Sequence, residues 1–272
     1  MSKLAIIIPA YKPDFLKEAL QSLAAQTCQD FTVYIGDDCS PYPLSKIVTP
    51  FLETMDLHYH RFDSNLGAKD LIGQWERCIA LASDEEWLWM FSDDDRMDTL
   101  CVEYFYKIID RYPHNRLFHF DVTVIDGEGR PTKDEHFIKQ DFKEWLSAKD
   151  FLRKRLNYEI NSFVVEYIVN RHTFNTEGGF VRYPLAWCSD DATWYRMGRE
   201  TGILTIPHAR VYWRKSDANI TPNHSRTIQK KKLVAVKSFL KFCWQELGIS
   251  ALPAILKYYL HALYQARAIL KK

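Results

Sequence analysis

The sequence predicts an α/β fold: a mainly parallel sheet flanked by helices, with a helical C-terminal extension. Three observations carry this expectation. Short apolar runs rich in Ile, Val and aromatic residues alternate with stretches of helical apolar spacing; the connections between them are short; and the clusters Pro9-Ala10-Tyr11, Asp37-Asp38 and Asp93-Asp94-Asp95 each directly follow an apolar run. Strands and helices alternating in this way form an open, mostly parallel sheet covered by helices. Such sheets bind ligands beyond the carboxyl ends of their strands, so the three clusters are expected to line one cleft.

In chain order, Leu4–Ile8 is a continuous β-rich run ended by Pro9, the pattern of a strand buried on both faces. Phe15, Leu16, Ala19, Leu20 and Leu23 recur at helical spacing within Asp14–Gln26, and Phe31–Gly36 returns to strand character, which completes a βαβ unit. The same reasoning predicts strands at Leu57–Phe62, Trp87–Phe91 and Arg116–Ile125 and helices at Ala68–Ala82 and Thr99–Arg111. Asp126-Gly127-Glu128-Gly129-Arg130-Pro131 reads as a turn, residues 149–175 mix short helical and strand-like runs, and Gly178-Gly179-Phe180 marks a tight turn. Arg226–Leu247 and Ala251–Leu270 read as two helices separated by Gly248 and Pro253. The expected organisation is one domain over 1–225, with halves 1–98 and 99–225, followed by a basic helical extension at 226–272.

A chain of 272 residues with 47% hydrophobic and 14% aromatic content can bury a substantial core. Its net charge of +1 conceals an asymmetry: residues 208–272 hold 13 Lys and Arg against 2 Asp and Glu, leaving −10 for residues 1–207. The six cysteines show no CxxC spacing and no pairing pattern, and read as reduced interior thiols. No stretch has the length of a signal-peptide core or a membrane span, so the cytoplasm is the expected location. The basic helices have two readings, an amphipathic surface resting on the inner face of the membrane or helices packed on the domain with solvated lysines. A nucleic-acid partner is not expected, because no aromatic-basic groove motif is present.

Asp93-Asp94-Asp95 after Trp87-Leu88-Trp89-Met90-Phe91 places three mutually repelling charges at a strand end. A helix cap needs one carboxylate; three fit a hard divalent cation that takes its remaining ligands from phosphate and water. Together with Ile6-Ile7-Ile8-Pro9-Ala10-Tyr11, Gln26-Thr27, Ile35-Gly36-Asp37-Asp38-Cys39-Ser40, Asn65-Leu66-Gly67 and Gln74-Trp75-Glu76-Arg77-Cys78, this stretch resembles the ordered signature of the glycosyltransferase family 2 enzymes of GT-A (Rossmann-like) fold. The resemblance covers about residues 3–215 and is most specific in the first hundred.

The resemblance implies an inverting, metal-dependent transfer of a sugar from a nucleotide diphosphate sugar, with UDP the expected nucleotide, to a glycan or lipid-linked glycan in envelope or capsular polysaccharide synthesis. It places 1–98 as the nucleotide-sugar half and 99–225 as the acceptor half. It implies that Pro9, Ala10 and Tyr11 bracket the nucleoside, that Asp38 and Asp37 bond the base or ribose, and that Lys69 and Arg77 reach a phosphate or the base. Mn²⁺ or Mg²⁺ would sit at the triple Asp. Two registers stay open there, Asp93-Asp94 or Asp94-Asp95; Asp95 is the expected principal ligand with Asp93 completing a DxD, and Asp93 and Asp94 also face the donor. Ser189-Asp190-Asp191 resembles the family's acidic dipeptide, which implies Asp191 as general base and Asp190 orienting it. A late His, His208 or His224, would join the metal or lie at the surface. Trp213–Ile220 resembles the segment that closes over the diphosphate, with Arg214 or Lys215 neutralising it. The alternative function is an inactive nucleotide-sugar-binding scaffold or regulator; a phosphohydrolase would want an Asp nucleophile on the first strand, and Leu4–Tyr11 has none.

Overall fold

The computed structural model describes residues 3–132, 143–215 and 225–270. The strands are β1 Leu4–Ala10, β2 Thr32–Asp37, β3 Leu57–Arg61, β4 Trp87–Met90, β5 Arg96–Met97, β6 Leu117–Ile125, β7 Trp145–Leu146, β8 Tyr167–Asn170 and β9 Ile203–Arg214. The helices are α1 Leu16–Ala24, α2 Leu44–Val48, α3 Leu71–Ile79, α4 Cys101–Arg111, α5 Ala148–Leu156, α6 Arg171–Thr176, α7 Ser189–Met197, α8 Arg226–Leu247 and α9 Leu252–Leu270.

The sheet runs in the order β3-β2-β1-β4-β8-β6-β9-β5, with β7 also on β9. Strands β3, β2, β1 and β4 are parallel, so their carboxyl ends share one edge. That is the arrangement expected from the βαβ pattern. β8 then runs antiparallel between β4 and β6, and β6 pairs with β9 in parallel. β8 arises from the mixed stretch whose type was not assignable in the sequence, because its four residues, Tyr-Ile-Val-Asn, are too few to show a period.

β1 is buried on both faces: Leu4, Ile6 and Ile8 join one apolar cluster with α1 and α4, while Ala5 and Ile7 join a second. Val236, Phe239, Leu240 and Tyr258 of α8 and α9 belong to that second cluster too. The C-terminal helices therefore share a core with the sheet. Helix starts follow local chemistry: Asp70, Ser147, Asn170 and Ser225 each accept an N–H three residues on, capping α3, α5, α6 and α8. Gly248, at φ 68°, ends α8. Helices α1 and α3 are shorter than their apolar spacing suggested; before α3, Leu66–Asp70 forms a turn that supplies part of the cleft.

Candidate active site

A cavity of about 560 Å³ opens beyond the carboxyl ends of β1, β2 and β4. Pro9, Ala10, Tyr11, Asp38, Asp93 and Asp94 line one part of it, as expected from the strand ends, and Asp190 and Asp191 line another. The expected donor-side and acceptor-side groups thus meet in one space.

The second strand's two carboxylates differ in role. Asp37 is fully buried: Oδ1 accepts the Ser40 N–H at 2.7 Å, and Oδ2 accepts Tyr59 and Arg61, the latter at 2.9 Å. It fastens β2 to β3 and does not line the cavity. Asp38 does line it. Its Oδ1 accepts Leu66 N–H at 2.7 Å and the Arg77 guanidinium, and Oδ2 accepts Gly67 N–H at 2.9 Å, leaving Oδ2 a spare lone pair. A Cβ on Gly67 would lie 2.8 Å from Asp38 Oδ2, so only glycine permits this approach. Arg77 spans Asp38, Gln74 and the Ser64 carbonyl and covers the Phe62 ring at 3.8 Å. It ties down the loop and is not among the lining residues, and Lys69 is exposed outside the cavity.

The three adjacent aspartates point to different surroundings. Asp93 Oδ2 accepts the backbone N–H groups of Tyr11 at 2.8 Å and Lys12 at 3.1 Å, which locks the β1 and β4 ends together. Asp94 faces the cavity; burial and then the neighbouring Asp93 charge raise its pKa to about 7. Asp95 is 1% exposed and outside the cavity lining, its Oδ1 accepting Arg214 N–H at 2.7 Å and its Oδ2 without a partner. Burial, then Asp94, pushes its carboxyl well above the usual range. Among the described residues no cluster of three or more His, Cys, Asp or Glu side chains is arranged to hold a metal ion unaided. The donor set at the cavity, Asp94 beside Asp93, fits a cation that takes most of its ligands from phosphate and water.

On the opposite wall, Asp191 is 2% exposed and bidentate with Arg155, Nε to Oδ1 at 2.7 Å and Nη2 to Oδ2 at 3.0 Å. Asp190 has no ion-pair partner of this kind among the described residues and accepts from the backbone N–H of its neighbour Asp191. Burial and then the Asp191 charge raise its pKa to about 7. The uncommitted carboxylate at this wall is thus Asp190, the residue assigned an orienting role from sequence. The chain reaches it through a strained loop: Leu185, Ala186 and Cys188 have φ of 62°, 54° and 60°. Left-handed backbone at non-glycine residues costs on the order of 1 kcal/mol each and gathers where geometry serves function.

Arg214 is buried. Its guanidinium bonds the carbonyls of Asp94, Asp126 and Gly127 and the Glu18 carboxylate, and covers Phe15. It is an internal strut for the triple-Asp corner and does not face the cavity. His208 is exposed beside Tyr104, in the left-handed bulge that interrupts the β6–β9 pairing, and does not line the cavity. His224, Ser216–Ile220 and Lys271-Lys272 lie outside the described residues.

Sequence reasoning missed Arg155, Lys12 and the part played by Tyr258, all of which line the cavity. Arg155 carried a signal: it stands four residues after Phe151, next to Leu156, on the face of α5 whose other members are apolar and buried. A cation on a buried helix face calls for an anionic partner. Tyr258 occupies the inward face of α9 with Ala266, a placement masked by apolar residues on the helix's other faces.

A sequence model of glycosyl transferase family 2 matches residues 5–173, more than half of the chain. The chain belongs to glycosyl transferase family 2. A 47-residue stretch is 49% identical to the succinoglycan biosynthesis protein ExoW of Rhizobium meliloti, covering 16% of this chain and 15% of that protein. Over 165 residues it is 26% identical to the poly(ribitol-phosphate) beta-N-acetylglucosaminyltransferase TarS of Staphylococcus aureus, covering 59% of this chain and 27% of TarS. The matches thus span less than a third of either relative's length. The fold of a TarS fragment solved with UDP-GlcNAc superposes with TM-score 0.63 at 17% identity, covering 96% of this chain and 81% of that one. A GalNAc-T7 structure with UDP, GalNAc and Mn²⁺ superposes with TM-score 0.57 at 10% identity, covering 87% and 48%. The fold is GT-A, and the family member is a glycosyltransferase.

Proposed function

We propose that the protein transfers a sugar from UDP-sugar to a glycan or lipid-linked glycan hydroxyl with inversion, in cell-envelope or capsular polysaccharide synthesis. The observation that carries this is the single cavity holding Asp38 and Asp94 at the strand ends and Asp190 on the facing wall. UDP is supported by the ligands of the superposing TarS and GalNAc-T7 structures. Pro9, Ala10 and Tyr11 would flank the nucleoside, with the spare lone pair of Asp38 accepting from it and Gly67 leaving room.

Asp94, assisted by Asp93, would hold a divalent cation, Mn²⁺ or Mg²⁺; when bound, it would offset the charge of the departing diphosphate. Asp190 takes the proton of the acceptor hydroxyl as that oxygen bonds the anomeric carbon. The bond from that carbon to the diphosphate oxygen breaks with its electron pair, releasing UDP. Attack opposite the leaving group inverts the centre. Burial, and then the neighbouring Asp191 carboxylate, keep the Asp190 carboxyl basic enough to act near neutral pH, while Arg155 holds Asp191 in place and offsets part of its charge.

Incubation with UDP-sugars and Mn²⁺, read as UDP release, tests the proposal. Metal-dependent release that Asp190→Asn abolishes is expected; UDP binding with no release from any sugar donor, with or without acceptors, would instead make the protein a nucleotide-sugar-binding scaffold.

Peripheral membrane contact through 226–272 forms part of the same proposal, favoured by one observation. No helix among the described residues is long and apolar enough to cross a membrane. Yet Leu252, Leu256, Leu260 and Tyr264 form an exposed stripe at four-residue spacing on α9, on helices rich in lysine. Flotation with anionic vesicles, lost in Leu256→Glu/Leu260→Glu, is the expected result; no flotation of the parent protein rejects the contact.

A further inference from the structure

The C-terminal helices do more than cover the sheet. Tyr258 of α9 lines the cavity, and its hydroxyl lies 3.7 Å from the sulfur of Cys188, the left-handed residue two positions before Asp190. Its ring is stacked on Tyr158, with centroids 5.0 Å apart and planes at 4°, and meets the edge of Phe239 from α8 at 6.0 Å. α8 reaches the same loop from another side: the Lys232 ammonium sits 4.4 Å from the centroid of the Trp187 ring. Lys232 is 8% exposed, and burial lowers its pKa. A desolvated cation over an indole face is a strong form of this contact. Two helices outside the strand-and-helix alternation thus grip the strained segment Leu185–Cys188 at consecutive residues, Trp187 and Cys188.

We propose that the α8–α9 hairpin is a working part of the transfer site: Tyr258 is a positioning residue that, with Lys232, holds the left-handed Leu185–Cys188 loop and so sets Asp190 against the acceptor end of the cavity. A loop with three non-glycine residues in the left-handed region persists only where its surroundings over-determine it. Tyr258 and Lys232 supply that constraint from the two C-terminal helices. Loss of either lets the loop relax toward ordinary backbone angles and carries the first turn of α7, with Asp190, out of line. The donor end, built on β1, β2 and β4, is untouched. The inference rests on the transferase reading of the cavity and on Asp190 as its base.

The test compares the full chain with Tyr258→Leu, Tyr258→Phe and Lys232→Met, measuring kcat and donor KM for UDP-sugar turnover and the thermal shift caused by UDP with Mn²⁺. Displacement of a reacting group by about 1 Å costs on the order of 100-fold in rate, so kcat should fall by about 10- to 100-fold in Tyr258→Leu and Lys232→Met. Donor KM and the UDP-induced shift should stay at parent values. Tyr258→Phe keeps the ring and its stack but removes the hydroxyl that meets Cys188 Sγ, so its kcat should also fall at unchanged donor KM, and parent-like kcat in it counts against the proposal. Parent-like kcat in Lys232→Met, or a raised donor KM with kcat unchanged in either variant, overturns the proposal. Should Tyr258→Leu fail to fold, Lys232→Met and Tyr258→Phe decide: an active parent with an unchanged Lys232→Met sinks this inference alone. A folded parent that binds UDP but releases none from any sugar donor sinks the transferase reading as well.

Discussion

Replacing Asp190 and Asp191 separately by asparagine should give opposite phenotypes. Asp190 is the uncommitted carboxylate at the cavity wall, with its pKa raised from 3.8 to about 7. A positioned general base contributes roughly 10²- to 10⁴-fold, so Asp190→Asn should lose that much kcat, equivalent to about 3–5 kcal/mol of barrier. In the parent protein, kcat should rise with pH and level off above about 7, as Asp190 loses its proton. Stability should move the other way. Because the folded-state pKa lies above the unfolded one, the native protein binds the extra proton between about pH 4 and about pH 7, so stability falls as pH rises through that window. That rise corresponds to at most about 4 kcal/mol, cut to about 2 by the water reaching this partly exposed group. Asp190→Asn should remove that fall and match or exceed the parent's stability at pH 8. Asp191→Asn, by contrast, leaves the Arg155 guanidinium buried without its counter-charge, a loss of about 3–5 kcal/mol and a drop of roughly 6–15 °C in Tm for a chain this size. UDP-release kinetics from pH 5 to 9 and melting curves at both ends of that range give both readouts. A well-folded, inactive Asp191→Asn beside an active Asp190→Asn would refute the argument and return the base to Asp191.

Three further perturbations separate the donor-side roles. Asp94→Asn should weaken the Mn²⁺-dependent part of UDP binding by more than about tenfold in titration calorimetry, since even residues behind a metal ligand cost that much; Asp95→Asn should leave it largely intact, and the reverse outcome would make Asp95 the ligand. Arg77→Met strips a buried carboxylate of its partner and should lower stability by about 2–4 kcal/mol while loosening the Leu66–Gly67 turn, read as a lower Tm and weaker UDP binding. Gly67→Ala places a methyl 2.8 Å from Asp38 Oδ2 and should weaken UDP binding with little change in the far wall, seen as a raised donor KM at near-parent kcat.

The donor half of the fold was legible because its signals are local and repeated. β1, β2 and β4 are apolar runs with a polar stop, and parallel pairing fixes that all their stops emerge at one edge. Which member of an acidic run does which job was not legible, and the reason is geometric. Asp93, Asp94 and Asp95 lie in the bend after β4, so neighbours in sequence meet different partners: the N–H groups of Tyr11 and Lys12 just past β1, the cavity, and the backbone of β9 at Arg214. Asp190 and Asp191 are adjacent on a helix, about 100° apart, and their partners decide between them. Arg155 lies 36 residues upstream of Asp191, on an element whose type the sequence left open, and it alone converts one of two equal-looking carboxylates into a fixed charge. A resemblance to a family can locate such a pair, but the division of labour inside it depends on long-range ion pairs that no local pattern encodes. For the same reason a basic arginine on the apolar face of a helix is a stronger pointer to this active site than any of the histidines.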